Sequence, residues 1–188
     1  MAIPVDAMPS PRFNWLLITL HWVTLLLMGT ACLAIELHDV FPKGSASRTA
    51  LTTWHTILGI SVLGLVALRL LVRAFSRAPA IRPEPPRWQA LAATVVHIAL
   101  YGLMFLLPLS GWLMFNASGK EVVWFGVQLP TLLSPDKALA HSIKEVHQVL
   151  ANFGYALVGL HAAAALVHHY LMRDNTLRLM WPQLRPAR

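Results

Sequence analysis

The stretch VHQVLANFGYALVGLHAAAALVHHYLM, Val146–Met172, decides the fold. It contains no Asp, Glu, Lys or Arg, and it exceeds the roughly 20 apolar residues that a membrane-spanning helix needs. Its histidines are ordered. His147, Gly154, His161 and His168 recur every seven residues. At about 100° per residue, seven steps return to nearly the same face of a helix. One stripe of this helix therefore carries three imidazoles, and Gly154 on that stripe leaves room for a flat group to approach the backbone. An ionisable side chain within lipid is expensive and needs a partner.

Working outward, three more apolar runs qualify as spans, Phe13–Ile35, Leu51–Val72 and Ala90–Phe115. The sequence predicts an all-α integral membrane protein, a bundle of four transmembrane helices in one domain over residues 1–188. The stretch Val122–Leu133 is apolar but short, and it carries Gly126 and Pro130; it reads as an interfacial segment. The Pro- and Arg-rich stretch Ser76–Arg87 reads as an extended connector, not a second domain. The first run is longer than a signal-peptide core and has no small-x-small cleavage site, so it is expected to remain as a helix.

Composition agrees. Only 12% of residues are charged and 56% are hydrophobic, against about 25% charged in soluble domains. The net charge of +7 would raise nucleic-acid binding in a soluble protein. Here the charges sit between the apolar runs, and no motif interleaves basic with aromatic residues. Four spans put Arg12, Arg69, Arg73, Arg77, Arg82, Arg87, Arg173, Arg178, Arg185 and Arg188 on one side. Lys43, Arg48, Lys120, Lys137 and Lys144 fall on the other. The acids widen the contrast: Asp6, Glu84 and Asp174 join the first side, while Glu36, Asp39, Glu121, Asp136 and Glu145 neutralise the second. The positive-inside rule then places both termini in the cytoplasm. The single cysteine, Cys32, excludes an internal disulfide, an iron–sulfur cluster held by this chain alone and covalent c-type haem attachment.

The histidines carry the chemistry. Neutral imidazole is a good axial ligand for haem iron. His147 and His161 are 14 residues apart, about 21 Å of helical rise, enough to put two irons near opposite faces of a hydrocarbon core about 30 Å thick. Each needs a partner at equal depth. His55, near the outer start of the second span, matches His147. His21 on the first span and His97 on the third both lie at the cytoplasmic depth of His161; depth favours His21, and the other imidazole would be free to bond a haem propionate or a quinone. A packing role is the plain alternative for any single intramembrane histidine. A zinc or transporter site is another, but such sites usually add carboxylates, and no span carries Asp or Glu in its middle. Arg69 and Arg73 at the cytoplasmic end of the second span would anchor the helix at the head groups or pair with propionates. Arg48 and Lys144, flanking His55 and His147, could do the same at the outer end. His38 and His141 read as surface residues, most tryptophans as an aromatic belt, and the methionines as filler.

Several blocks resemble the bacterial cytochrome b561 family of small four-helix di-haem proteins. They are LHW at Leu20–Trp22, WHTILGIS at Trp54–Ser61, RLLVR at Arg69–Arg73, PLSGW at Pro108–Trp112 and the long block Val146–Met180. The resemblance covers nearly the whole chain. It implies two non-covalent b-type haems, with His21 and His161 holding the cytoplasmic one and His55 and His147 the periplasmic one. It also implies a bacterial inner membrane, oxidation of superoxide to O2 at the periplasmic face, and delivery of the electrons to ubiquinone near the cytoplasmic haem. On that reading Lys43, Arg48 and Lys144, together with Lys120 and Lys137, are candidates for a superoxide-attracting patch. His168, past His161 on the ligand stripe, and Arg73 are candidates for the quinone or a propionate.

Two other functions fit the same residues. Related four- and five-helix cytochromes serve as membrane subunits that pass electrons from a hydrogenase or formate dehydrogenase to quinone. The short outer loops here offer little to dock such a partner. A non-catalytic haem- or metal-binding membrane protein is the second.

Overall fold

The computed structural model describes residues 12–182. Asp6, Arg185 and Arg188, which entered the count of charges, lie outside the described residues, as do the terminal positions assigned to the cytoplasm. Four long helices are present: α1, Trp15–His38; α2, Ala46–Ala74; α3, Arg87–Ala117; and α4, Lys137–Tyr170. All four are long and apolar enough to cross a membrane. Between α3 and α4 stands a small antiparallel hairpin, β1 (Val123–Trp124) and β2 (Val127–Gln128). A short helix, α5 (Thr176–Met180), follows α4.

The helices are longer than the apolar runs because hydropathy reports lipid, whereas capping sets where a helix begins. Ser45 caps α2, its hydroxyl accepting from the Arg48 amide at 3.2 Å, so α2 starts before the expected Leu51. Asp136 caps α4, one carboxylate oxygen accepting from Ala138 and Leu139 at 2.9 and 3.0 Å. That carboxylate satisfies two of the amide groups a helix start leaves without partners. The polar turns Lys137–Glu145 thereby continue the helix ahead of Val146, where the apolar run begins. The stretch expected to lie at the interface contains the hairpin. Phe125 (φ 46°) and Gly126 (φ 85°) form its turn in the left-handed region, the backbone that two-residue hairpin loops require. Trp124 bonds the Ser61 hydroxyl through its indole N–H at 3.0 Å, which ties the hairpin to α2.

Neighbouring helices pack in chain order, α1 along α2, α2 against α3 and α3 along α4. Among the described residues α4 makes no extended contact with α1 or α2. That side of the bundle is left open except for cross-links such as the Tyr155 hydroxyl donating to Glu36 at 3.0 Å. The tightest core, Val62, Val66 and Met104 with Leu27, Met28, Leu100 and Tyr101, lies midway along α1–α3. Large apolar side chains such as Leu26, Leu71, Ile98, Phe153 and Leu160 point outward. In water that would be a liability; in a bilayer it is the solvent-facing surface.

The end of the bundle holding α5 is clasped. The Trp22 indole donates to the Met180 carbonyl at 2.8 Å and meets Trp181 edge-on at 5.8 Å. The Asn175 side chain accepts from the Arg82 amide at 2.8 Å and donates to the Ala80 carbonyl at 3.3 Å, binding the proline-rich connector. Asp174 adds a third tie, to His168 and to the Thr176 amide. Burial would push its carboxyl up, but the bonds from His168 and Thr176 outweigh that and hold it below its ordinary value of 3.8. A carboxyl depressed by folding stabilises at all higher pH, and that contribution fades only as pH falls through the folded value. The α5 clasp is therefore expected to hold from neutral pH down to about 4 and to loosen below that. Trp181 fluorescence followed from pH 6 to 3 checks this; a signal that changes between pH 6 and 5 and is flat below contradicts it.

Candidate functional site

The histidines meet across the open side of the bundle. At the loop end, His55 of α2 and His147 of α4 have ring centres 6.3 Å apart. At the α5 end, His21 of α1 and His161 of α4 are 6.4 Å apart. His97 of α3 also approaches His161, at 5.4 Å. The two halves of α4 thus each present one imidazole, as the seven-residue stripe predicts. All four rings of the longer pairs are half-buried, whereas His97 is exposed.

These spacings have a chemical meaning. A metal–imidazole bond of about 2.0–2.1 Å, with the ring nitrogen about 1.1 Å from its ring centre, sets two collinear axial imidazoles roughly 6.3 Å apart. Both longer pairs meet that spacing. The His97–His161 pair, at 5.4 Å, is closer than that spacing.

Hydrogen bonds orient the His55–His147 pair. His55 Nδ1 lies 2.8 Å from the Ala31 carbonyl, and a carbonyl only accepts, so Nδ1 carries the proton. His147 Nδ1 lies 2.9 Å from the Ser110 hydroxyl, which itself donates to the Leu107 carbonyl at 2.8 Å. The hydroxyl therefore accepts from His147. In both rings Nε2 keeps its lone pair for a metal, the arrangement by which second-sphere bonds orient ligating imidazoles. Gly111 lies beside the His147 ring: a Cβ there would stand in ordinary contact with it, 3.5 Å from Cε1 and 3.8 Å from Nδ1. Gly154, by contrast, faces Leu103 and Leu107 of α3, each 3.8 Å from where its Cβ would stand. It lies at the α3–α4 contact, not at an opening on the stripe.

At the His21–His161 pair, His21 Nδ1 is buried without a hydrogen-bond partner. A cavity lined by His21, Thr24, Arg69, His97, Tyr101 and His161 surrounds it. Arg69 sits over the Tyr101 ring, 5.3 Å from its centre. Among the described residues no group of three or more His, Cys, Asp or Glu converges to hold a metal ion. The donors come in twos. Two opposed imidazoles fit an iron whose other four positions are filled by a macrocycle, and they fall short of the four ligands of structural zinc.

The remaining sequence candidates are placed as follows. Arg73 is exposed at the end of α2 and donates to the Ser76 carbonyl at 3.0 Å; Arg69, one turn deeper, is the arginine that reaches the cavity. Arg48 pairs with Asp39 at 2.5 Å and also bonds the Phe41 carbonyl and His38 Nε2. His38 is held in turn by the Ile35 carbonyl at 2.7 Å, so it locks the α1–α2 turn in place of lying free on the surface. Lys43 and Lys144 are exposed. His168 is half-buried, with Nδ1 2.5 Å from the Asp174 carboxylate. Sequence reading missed Ser110, Gly111 and Asp174; it named Arg69 and Arg73 together, and the structure brings only Arg69 to the cavity. The block Pro108–Trp112 was the one available signal for the first two.

Four helices long and apolar enough to cross a membrane, with histidine rings opposed at two places along α4, are the frame of a membrane protein built around paired imidazoles. The family model for prokaryotic cytochrome b561 matches residues 12–183. Cytochrome b561 homolog 1 of Escherichia coli is 40% identical over 172 residues, covering 92% of this chain and 98% of that protein. The protein named Probable superoxide oxidase CybB of Yersinia pestis is 34% identical over 174 residues, covering 93% and 98%. Cytochrome b561 homolog 2 of Escherichia coli is 34% identical over 127 residues, covering 67% and 68%. The chain belongs to the prokaryotic cytochrome b561 family. It is a membrane electron-transfer protein of the b-haem class.

Proposed function

We propose that the chain is a superoxide:ubiquinone oxidoreductase of the bacterial inner membrane, with both termini cytoplasmic and two b-type haems. His55 and His147 would hold the periplasmic haem, and His21 and His161 the cytoplasmic one. Bound there, each supplies a one-electron carrier. The observation that carries this reading is the pair of matched ring separations, 6.3 and 6.4 Å, at the two ends of one helix. An electron path across the bilayer needs two such stations, and α4 supplies one imidazole to each. The resemblance to a protein named as a probable superoxide oxidase supports the substrate.

On this reading two superoxide anions are oxidised to two O2 at the periplasmic face, and one ubiquinone takes up the two electrons with two protons at the other. Lys43 and Lys144 are exposed cations at the superoxide end, and Arg48 sits there with its charge offset by Asp39. The substrate is an anion, so free positive charge would raise its local concentration. His168, seven residues past His161 on the same stripe, is the candidate to meet the quinone, and Arg73, exposed at the end of α2, is the weaker one.

Stopped-flow mixing of the quinone-loaded holoprotein with superoxide tests this. The expected record is reduction of the haem bands followed by quinol formation. Electron entry no faster than spontaneous dismutation would assign the chain instead to electron delivery from a partner dehydrogenase or hydrogenase. Spectra showing zinc or a single haem would favour the non-catalytic reading.

A further inference from the structure

The His168–Asp174 pair is built more carefully than a helix terminus requires. Asp174 is 5% exposed and is the one acidic residue buried among the described residues. Arg173 takes a left-handed backbone, φ 56°, which is uncommon for a residue other than glycine, asparagine or aspartate. That turn brings the chain back so that the Asp174 amide bonds the His168 carbonyl at 3.1 Å. The carboxylate then divides its oxygens. Oδ1 accepts from the Thr176 amide at 2.9 Å, which starts α5. Oδ2 faces His168 Nδ1 at 2.5 Å. Starting α5 uses only the first oxygen. The second orients an imidazole.

Orientation matters because of where His168 stands. It lies seven residues past His161 on the same stripe of α4, about 10 Å farther toward the helix end. With Nδ1 donating to the carboxylate, Nε2 is the nitrogen left for other work. A buried carboxylate that holds one ring nitrogen both selects the tautomer and stabilises the imidazolium when the other nitrogen is protonated. Reduction of a quinone needs that service, since each quinol takes two protons with its two electrons.

We infer that Asp174 is a positioning residue for proton delivery: it holds His168 by Nδ1 so that Nε2 donates a proton to the reduced quinone. The inference rests on the quinone reading above. In the step, the Nε2–H bond of His168 breaks and an O–H bond of the quinol forms. The electrons come from two superoxide anions, which leave as O2. His168 regains its proton from water on the α5 side and serves twice per quinol, while Asp174 stays ionised.

The test uses the holoprotein, superoxide and a short-chain ubiquinone, with Asp174→Asn and Asp174→Glu compared against the unaltered chain. Haem content and the rate of haem reduction by superoxide should be unchanged in both variants. In Asp174→Asn, kcat for quinol formation should fall roughly ten- to a hundredfold, at or below the lower end of what a positioned proton donor contributes. KM for the quinone should stay within about twofold and the solvent isotope effect should rise. Asp174→Glu should recover part of kcat. An Asn variant with unaltered kcat and isotope effect, or one in which only KM rises, overturns the inference and leaves the quinone reading standing. An unaltered chain that accepts electrons from superoxide yet forms no quinol overturns the quinone reading, and the inference with it.

Discussion

Replacing His161 with alanine is expected, on the two-haem reading proposed above, to leave one b-type haem per chain in place of two. The loss should be local. His161 opposes His21 at 6.4 Å, while the outer rings oppose each other at 6.3 Å with their own bonds to the Ala31 carbonyl and the Ser110 hydroxyl. Nothing in that outer arrangement passes through His161. His147→Ala should produce the mirror result, removing the outer haem and sparing the inner one. The discriminating variant is His97→Ala. Its ring is exposed and lies 5.4 Å from His161, closer than two imidazoles on opposite sides of one iron can stand. It should keep both haems. Haem-to-protein ratio by pyridine haemochrome, together with low-temperature difference spectra, reads all three variants. Two haems in His161→Ala, or one in His97→Ala, would replace the pairing with one between His97 and His21 or with none.

Much of this was readable beforehand, and the part that was not has identifiable causes. The four spans and the stripe on α4 follow from properties that survive without tertiary structure: apolar length and the 3.6-residue turn. Depth matching brought His55 to His147 for the same reason. Depth is one coordinate, however. It favoured His21 over His97 only in part, and the distances of their rings from His161, 6.4 and 5.4 Å, are a second coordinate that depth does not carry. Rotation about a helix axis is equally hidden. Arg69 and Arg73 are one turn apart and identical in type, yet one lines the inner cavity and the other bonds Ser76 at the surface. Asp174 counted as a cytoplasmic loop charge because its burial depends on a left-handed turn at Arg173, a residue with no composition signal for that conformation. Arg48 looked like a free outer cation for a related reason: the turn that folds Asp39 back onto it lies between two helices and carries no periodicity.

Arg69 leads to the second large effect, on redox potential. Its guanidinium is half-buried beside the inner pair, stacked on Tyr101, and among the described residues it has no carboxylate partner within salt-bridge distance. A fixed positive charge disfavours the oxidised state of an iron more than the reduced state, because oxidation adds positive charge to the site. Arg69→Gln should therefore lower the midpoint potential of the inner haem. At roughly 8–10 Å and an effective dielectric constant of about 20, one unit charge contributes about 2 kcal/mol. For a one-electron couple that corresponds to about 80 mV, taking 59 mV per tenfold change. The outer haem, at the far end of α4, should shift by a small fraction of this. Arg69→Lys keeps the charge on a shorter head group and should retain most of the potential, which separates the charge from the stacking on Tyr101. A spectroelectrochemical titration resolves the two components. If Gln leaves both midpoints in place, or moves the outer one instead, then Arg69 does not sit beside a haem at this end and the cavity around His21 and His161 is not the inner site. On the proposed direction of flow, a raised inner potential would draw electrons toward the quinone, so the Gln variant should slow electron arrival there even with both haems bound.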